Sequence, residues 1–195
     1  MIFLIVIFFD VSAQKIDISI FHSIKISSVI ISPIDGKYDL ICDSVKVTQM
    51  KKQNVILIDL INDSLHIRDL DGKLAVCKNM YLKGKSKSNY FRIKPVEPEV
   101  MPRDYDNDIK IFINEDRMML INHVELENYI SGVVKSEGGS RSHVEYYKSQ
   151  AIIARTYTLE HLYKHKTESF NLCDHVHCQA YHGKCLNSDN IVKAT

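Results

Sequence analysis

The 195-residue sequence lacks an excess of charge of either sign, with 25 Lys and Arg against 24 Asp and Glu and a formal net charge of +1. A balanced charge provides no long-range attraction to nucleic acid or to an anionic membrane. The Lys/Ser run at 83–88 also lacks interleaved aromatic residues, so we interpret it as a solvated loop. The sequence therefore predicts no nucleic-acid partner.

No apolar run is long enough to predict a transmembrane segment. The apolar run at 1–9 is followed by Val11-Ser12-Ala13, residue types that a signal peptidase accepts near its cleavage site. We predict a signal peptide over residues 1–13, and hence an extracytoplasmic, secreted protein. The run lacks a basic N-terminal end and is followed by Asp10, so a buried first strand is the alternative. No cysteine follows the predicted cleavage site, which argues against a lipoprotein anchor.

Cysteine is present in an odd number, with Cys42 and Cys77 in the first half and Cys173, Cys178 and Cys185 near the end. Five cysteines fit an extracytoplasmic protein without requiring one. An odd number means that at least one thiol is free, bound to metal or paired between chains.

The first half of the chain shows the alternation typical of β-strands. Residues 16–20 and 64–68 alternate apolar and polar side chains, and 55–61 is a continuous apolar run rich in β-branched residues. Turn signals separate these segments, and Asp-Gly between apolar runs is typical of a hairpin. The turn signals lie at 33–36, 62–63 and 71–72. We predict a β-rich N-terminal region over 14–95 that forms a small antiparallel sheet or sandwich.

Three prolines within 95–102 predict a linker over 96–108, because proline disfavours helix at itself and at the preceding residue. Two more strands follow, predicted at 109–113 and 118–122. We predict an α+β fold overall, in which a second domain at 109–195 has a long central helix and a Cys/His-stabilised hairpin.

Two helices are predicted after these strands. The first, over 125–134, places Leu126 and Tyr129 on one apolar side. The second opens with Ser142 and Glu145 at the spacing of a capping box and continues to about Tyr163. Its predicted buried face consists of residues at helical spacing, namely Val144, Tyr147, Ala151, Ala154, Thr158 and Leu162.

Glu137 lies in a Ser-Glu-Gly-Gly stretch between the two predicted helices. Gly138 and Gly139 allow a free turn, and loops on rigid supports often carry catalytic residues. On spacing alone, an ordinary exposed glutamate is the more common interpretation.

A Cys/His cluster follows over 173–185. Thiolate and imidazole are ligands that zinc prefers, although the spacing is not that of a standard zinc finger. A disulfide from Cys173 to Cys178 or Cys185 is the alternative. In either case the predicted role is structural.

Three runs, LENYISGVVKSE, KSQAIIARTYTL and LCDHVHCQAYHG, have the order and spacing of blocks in the SpoIID family, which the segment 109–195 resembles. Those proteins are peptidoglycan lytic transglycosylases or modifiers of cell-wall hydrolases. The resemblance implies that Glu137, at the end of the GVVKSE block, is the catalytic acid. It also implies that the family pattern continues beyond Thr195 and completes the substrate groove.

The reaction implied is cleavage between N-acetylmuramic acid and N-acetylglucosamine, with the sugar's own 6-hydroxyl as nucleophile and a 1,6-anhydro product. Such a scheme works with a single acid, and no second carboxylate is evident near Glu137, unlike in most glycosidases. Because burial raises the pKa of a carboxyl group, we expect a partly buried glutamate. The alternatives are a non-catalytic module that binds glycan or enhances a cell-wall amidase, and a metal-dependent hydrolase.

The resemblance also implies substrate contacts and a structural zinc. On the long helix, Gln150, Arg155 and Tyr157 would line a glycan groove, or else serve helix packing. Gln179 and Tyr181 would contact substrate from the hairpin. The implied zinc ligands are His165, Cys173, His177 and Cys178, with His182 and Cys185 as alternates.

Overall fold

The computed structural model describes residues 13–195 except Lys87 and Ser140, so the predicted signal peptide lies outside the described residues apart from Ala13. These described residues form two β-sheets and three α-helices, which confirms the predicted β-rich α+β fold. Among the described residues, no helix has the length and apolar character needed to cross a bilayer.

The strands are β1 (Lys15–Ser19), β2 (Ser28–Asp35), β3 (Lys37–Cys42), β4 (Val45–Lys51), β5 (Ile56–Ile61), β6 (Ser64–Arg68), β7 (Lys73–Cys77), β8 (Asn79–Gly84), β9 (Tyr90–Glu97), β10 (Arg103–Asp106), β11 (Asp108–Asn114), β12 (Arg117–Glu125) and β13 (Leu172–Cys173). The helices are α1 (Leu126–Gly138), α2 (Val144–Glu160) and α3 (Asp189–Ala194).

Seven strands form one sheet in the order β13-β1-β12-β11-β8-β3-β4, and six form the other in the order β10-β9-β2-β5-β6-β7. Apolar side chains such as Ile18, Ile31 and Ile111 are fully buried in the core. At the edge of the larger sheet β13 lies parallel to β1, with Ser19 opposite Cys173. This pairing attaches the start of the Cys/His segment to the sheet.

The predicted strands of the first half are present. β5 and β6 pair through a tight turn in which Asn62 and Asp63 have φ values of 47° and 56°. Such left-handed residues give the twist that a two-residue hairpin needs. The predicted turn at 33–36 differs, because β2 continues through Pro33 to Asp35 beside a register shift with β9. A bulge of this kind accommodates a proline within a strand.

The predicted linker at 96–108 contains β10, which pairs antiparallel with β9 at the edge of the six-stranded sheet. Prolines exclude a helix there, but they permit extended chain at a sheet edge. The larger sheet combines β1, β3, β4 and β8 with β11, β12 and β13, so it draws strands from both predicted regions.

The first helix is longer than predicted, because α1 continues past Val134 through Glu137 to Gly138. Gly139 then ends it at φ 68°, with its N–H donating to the carbonyl of Lys135 at 3.1 Å. Glycine adopts this positive φ without the steric cost that a side chain would bring. Glu137 therefore lies in the last helical turn and not in a loop.

The second helix begins without the predicted capping box. Its N-cap is His143, which makes no side-chain capping hydrogen bond. The backbone N–H of Ser142 instead donates to the Tyr147 hydroxyl at 2.8 Å, and Glu145 accepts from Lys148 at 2.9 Å. Because the helix starts one residue later than predicted, Ser142 precedes the cap position. The predicted apolar face is buried, at Tyr147, Ala151, Ala154 and Thr158.

Candidate functional site

Four side chains converge where α2 ends and β13 joins the larger sheet. The ligand atoms of His165, Cys173, His177 and Cys178 all lie within 4.8 Å of one another. His165, Cys173 and Cys178 are buried, and His177 is exposed. This four-residue cluster is the set of ligands predicted from the sequence, and it could hold a metal ion.

The spacing of the donor atoms fits a tetrahedral metal. Cys178 Sγ lies 3.4 Å from His165 Nε2 and 3.7 Å from His177 Nδ1. Cys173 Sγ lies 3.8 Å from His177 Nδ1. Tetrahedral zinc, with bonds of about 2.3 Å to sulfur and about 2.05 Å to nitrogen, would place a sulfur and a nitrogen about 3.6 Å apart.

The pKa values of the two thiols indicate that the four-residue cluster needs a cation before both thiols can ionise. A hydrogen bond from the Cys173 thiol lowers the pKa of Cys178 to about 6, and the same pairing raises the pKa of Cys173 to about 12. One thiolate is therefore favoured, and a second one beside it is not. A bound cation would allow both to ionise. All five cysteines are free thiols in the structure, so neither of the predicted disulfides of Cys173 is formed.

Two residues that support the four-residue cluster were not identified from the sequence. His165 Nδ1 donates to Glu168 Oε1 at 2.6 Å, which leaves Nε2 to face the thiols. Partners of this kind orient ligand imidazoles in metal sites. Lys164 Nζ donates to the carbonyl oxygen of His177. The His-x-x-Glu spacing of 165 and 168 is the local signal that could have identified the first of them.

Asp174 fixes the four-residue cluster to the sheets. Its buried carboxylate accepts hydrogen bonds from the backbone N–H of Phe21 at 2.7 Å and of His22 at 3.1 Å. It also accepts from Arg103 Nη1 at 3.0 Å, on β10. These partners are far away in the sequence, so no local pattern indicates them.

The segment after Cys173 is a compact loop instead of the predicted hairpin. No strand follows Cys173 in the part of the chain that the structure describes. The loop closes through the N–H of Tyr181, which donates to the carbonyl of Asp174 at 3.2 Å. Side-chain contacts of Asp174 and of the four-residue cluster hold this loop, and they replace the cross-strand ladder of a hairpin.

The same loop reaches the end of α1 and contacts Glu137. The N–H of Ala180 donates to Glu137 Oε1 at 3.1 Å, and the N–H of His182 donates to Ser136 Oγ at 3.0 Å. Glu137 is exposed, in contrast to the partly buried glutamate expected from the sequence, and its other oxygen has no hydrogen-bond partner among the described residues. Because Ala180 is two residues from Cys178, the four-residue cluster and the Glu137 carboxylate are joined by a short piece of loop.

The structure places Gln179 and Tyr181 in the core, where neither side chain faces a groove. Gln179 Oε1 accepts from the Tyr129 hydroxyl at 3.2 Å and from Thr158 Oγ1 at 2.8 Å. The Tyr181 hydroxyl donates to Asn122 at 3.0 Å. These hydrogen bonds satisfy the buried polar atoms. In this arrangement the two side chains attach the loop to the core and are not positioned to contact substrate.

Tyr181 also packs closely against α1 at Gly132. A Cβ atom at Gly132 would lie 2.5 Å from the Tyr181 ring and 2.4 Å from the carbonyl oxygen of Gly183. Only glycine lets the loop approach this closely. Gly132 is the first residue of the GVVKSE block, so the close packing of the loop against α1 explains why a glycine is present there.

On α2, the predicted groove residues are partly exposed and partly engaged within the protein. Arg155 donates to Glu127 through Nε at 3.1 Å and to the carbonyl of Thr195 through Nη2 at 2.9 Å. Tyr157 stacks on His161, with ring centroids 4.1 Å apart. Gln150 is half-buried. Sequence reasoning did not identify Tyr146, an exposed ring on the first turn of α2 that lies against Gly138, beside Glu137.

Comparison with known proteins supports the resemblance noted in the sequence. Residues 114–195 match the family model SpoIID, described as a stage II sporulation protein. The SpoIID resemblance is thus confirmed over this segment, which contains both long helices, Glu137 and the four-residue cluster. The match supports a sporulation-associated, cell-wall-related role.

One curated relative is an uncharacterized protein of Brachyspira hyodysenteriae (strain ATCC 49526 / WA1), 29% identical over 82 residues. The match covers 42% of this chain and 22% of that protein. No solved structure shows a significant match to the chain.

Proposed function

We propose that this protein cleaves the glycan strands of peptidoglycan by a lytic transglycosylase reaction, with Glu137 as the acid. The observation that carries the proposal is the placement of Glu137 at the exposed end of α1. There the N–H of Ala180 positions one carboxylate oxygen and the other has no hydrogen-bond partner among the described residues. A carboxyl group held on rigid supports and open to solvent is placed to meet a polymeric substrate.

In the proposed reaction, the Glu137 carboxyl donates its proton to the glycosidic oxygen as the bond to the anomeric carbon breaks. The 6-hydroxyl oxygen of the same N-acetylmuramic acid residue attacks that carbon. The Glu137 carboxylate then takes the proton of this hydroxyl, and a 1,6-anhydro end results. Atoms balance without water, and a single carboxyl group serves as acid and then as base.

Because Glu137 is exposed, the bound substrate itself has to shield the carboxyl group from water. A glycan strand lying over the carboxyl would remove water from it, and a drier environment favours the protonated form. Tyr146 is positioned to form one wall of such a site, because its exposed ring lies against Gly138. Gln150 and Tyr157 remain candidates further along the same helix. The proposed substrate requires an extracytoplasmic location, in keeping with the predicted signal peptide.

We propose zinc as the metal of the four-residue cluster, in a structural role. The donor set of two thiols and two imidazoles, and its sulfur-to-nitrogen separations, fit that ion. A bound zinc would neutralise two thiolates and fix the loop that positions Glu137. Four protein ligands leave no open position for a catalytic water, which argues against a metal-dependent hydrolase.

The second candidate is a non-catalytic module that binds glycan or enhances a cell-wall amidase. The exposure of Glu137 favours this second candidate, because a general acid is more often found in a shielded site.

The test is to incubate the chain and its Glu137→Gln variant with denuded glycan strands and to analyse the products by mass spectrometry. Glu145→Gln, which changes an exposed glutamate on the first turn of α2, is the matched control. We expect 1,6-anhydro ends from the parent and from the control. We expect a loss of at least about 100-fold in Glu137→Gln, the range that general acid catalysis contributes.

Equal turnover in all three proteins would contradict the role of Glu137. An absence of products from all three, together with retained glycan binding, would favour the non-catalytic module. Stimulation of an added amidase, measured in parallel, would then separate glycan binding from amidase enhancement.

A further inference from the structure

Two further cysteines meet far from the four-residue cluster, at the place where the two sheets contact each other. Cys42 ends β3 in the seven-stranded sheet, and Cys77 ends β7 in the six-stranded sheet. Both are buried, with exposed fractions of 7% and 5%. β3 and β7 contact each other although they belong to different sheets.

The residues that follow the two cysteines hold them side by side. The Asp43 carboxylate accepts hydrogen bonds from the backbone N–H of Lys78 at 3.1 Å and of Asn79 at 2.9 Å. In return, the N–H of Asp43 donates to the carbonyl of Asn79 at 2.9 Å. The Asn79 side-chain amide also donates to the Asp43 carboxylate at 3.3 Å, so four hydrogen bonds connect the residue after Cys42 to the two residues after Cys77. This clamp keeps the two Cα positions together even when their side chains rotate.

The two thiols face each other closely enough to form a hydrogen bond. A hydrogen bond from the Cys77 thiol lowers the pKa of the Cys42 thiol. The thiolate is the nucleophile of disulfide exchange, so Cys42 is the better placed of the two to attack first.

We propose that Cys42 and Cys77 form a disulfide bond that covalently joins the two sheets. The oxidant is a disulfide donor, of the class of oxidised glutathione or the disulfide of a thiol oxidoreductase. The Cys42 thiolate attacks the donor, breaks its S–S bond and releases one donor thiolate. The Cys77 thiolate then attacks Cys42 Sγ in the mixed disulfide and releases the second. The two protons lost by the protein thiols pass to the two donor thiolates.

The proposal accounts for the odd number of cysteines. Cys173 and Cys178 belong to the four-residue cluster, Cys42 and Cys77 form the proposed disulfide, and Cys185 is the remaining thiol. The bond closes a loop that contains β4 to β7, so it restricts the unfolded chain across half of the smaller sheet. It does not depend on the proposed glycan cleavage, because neither cysteine is near Glu137 in the fold.

The experiment is to refold the full chain with zinc in a glutathione redox buffer and, separately, under reductant. Exchange has to take place during folding, because both thiols are buried in the folded protein. The folded fraction is isolated by size exclusion, unfolded, alkylated without reduction, digested with trypsin and mapped by mass spectrometry. Trypsin separates Cys42 on peptide 38–46 from Cys77 on peptide 74–78, whereas Cys173 and Cys178 share peptide 167–184.

We expect peptide 38–46 cross-linked to 74–78 in the oxidised sample, with the other three cysteines alkylated. We also expect the unfolding midpoint to rise by about 5–15 °C relative to the reduced sample. The variant Cys185→Ser should keep both the cross-linked peptide pair and the higher unfolding midpoint. The double variant C42S/C77S should unfold at the same midpoint in the oxidised and the reduced sample. Alkylated Cys42 and Cys77 in the oxidised, folded fraction would overturn the proposal, as would cross-links from either of them to another cysteine.

Discussion

The hydrogen bond from His165 to Glu168 determines which imidazole nitrogen faces the thiols of the four-residue cluster. We predict that Glu168→Gln weakens zinc binding by about 10- to 100-fold, because a ligand imidazole loses its orienting carboxylate. Competition with a chromophoric chelator measures this change. Glu160→Gln, at an exposed position on α2, is the matched control. Equal zinc affinity in Glu168→Gln and the parent would show that the carboxylate does not orient the ligand.

Single residues also show where sequence reasoning succeeded and where it did not. The ligands of the four-residue cluster were predicted from the SpoIID resemblance, supported by the thiol and imidazole chemistry of side chains that are close together in the chain. The burial of Gln179 and Tyr181 was not predicted. It depends on hydrogen bonds to Thr158 and Asn122, which lie on α2 and β12. A sequence pattern indicates which atoms are available, but it does not indicate which of them the fold covers.

At the scale of elements, the Asp174 carboxylate links the loop after β13 to the end of β1 and to β10. We predict that Asp174→Ala lowers the free energy of unfolding by about 3–5 kcal/mol, because it leaves the partly buried Arg103 and two backbone N–H groups without their acceptor. Urea unfolding measures it. Glu145→Ala, which removes an exposed pair with Lys148, should cost about 0.5 kcal/mol or less. A similar small cost for both variants would contradict the anchoring role.

We expect the pairing of β3 with β4 and with the segment after β8 to depend on pH through Asp39, whose carboxylate accepts hydrogen bonds from both. Hydrogen bonds from Lys46 and then from Lys85 and Gln49 hold the pKa of Asp39 at about 2, below its ordinary value of 3.8. Because the pKa is lower in the folded state, this stabilisation is present above about pH 3.8 and is lost as the pH falls toward 2.

We predict that Asp39→Asn has a lower unfolding midpoint than the parent at pH 6, and that the difference narrows toward pH 2. Thermal unfolding at several pH values measures it, with Asp116→Asn in an exposed turn as the control. A difference that stays constant between pH 6 and pH 2 would show that the effect does not come from ionised Asp39.

For the whole molecule, we expect a metal bound by the four-residue cluster to stabilise the folded chain, because the unfolded chain offers no preformed site. We predict that saturating zinc raises the unfolding midpoint by about 10 °C over the chelator-treated protein, as expected for a ligand about 1,000-fold above its dissociation constant. Differential scanning calorimetry measures the shift. If zinc is structural, chelation should reduce glycan cleavage only in parallel with loss of folded structure. Loss of cleavage in protein that is still folded by circular dichroism would favour a metal-dependent hydrolase instead.

The SpoIID resemblance implied the ligand set of the four-residue cluster. The amino-acid sequence by itself determined the strands of the first half and the apolar faces of the two long helices. These features come from periodicity and from spacing within short stretches, where neighbouring residues dictate one another's positions. The tertiary structure decided that β1, β3, β4 and β8 share a sheet with β11 and β12, that Asp174 anchors the loop and that Cys42 meets Cys77. It also decided that Glu137 ends a helix in contact with Ala180. Each of these depends on residues distant in the chain, which are brought together by burying a common core and not by any local pattern.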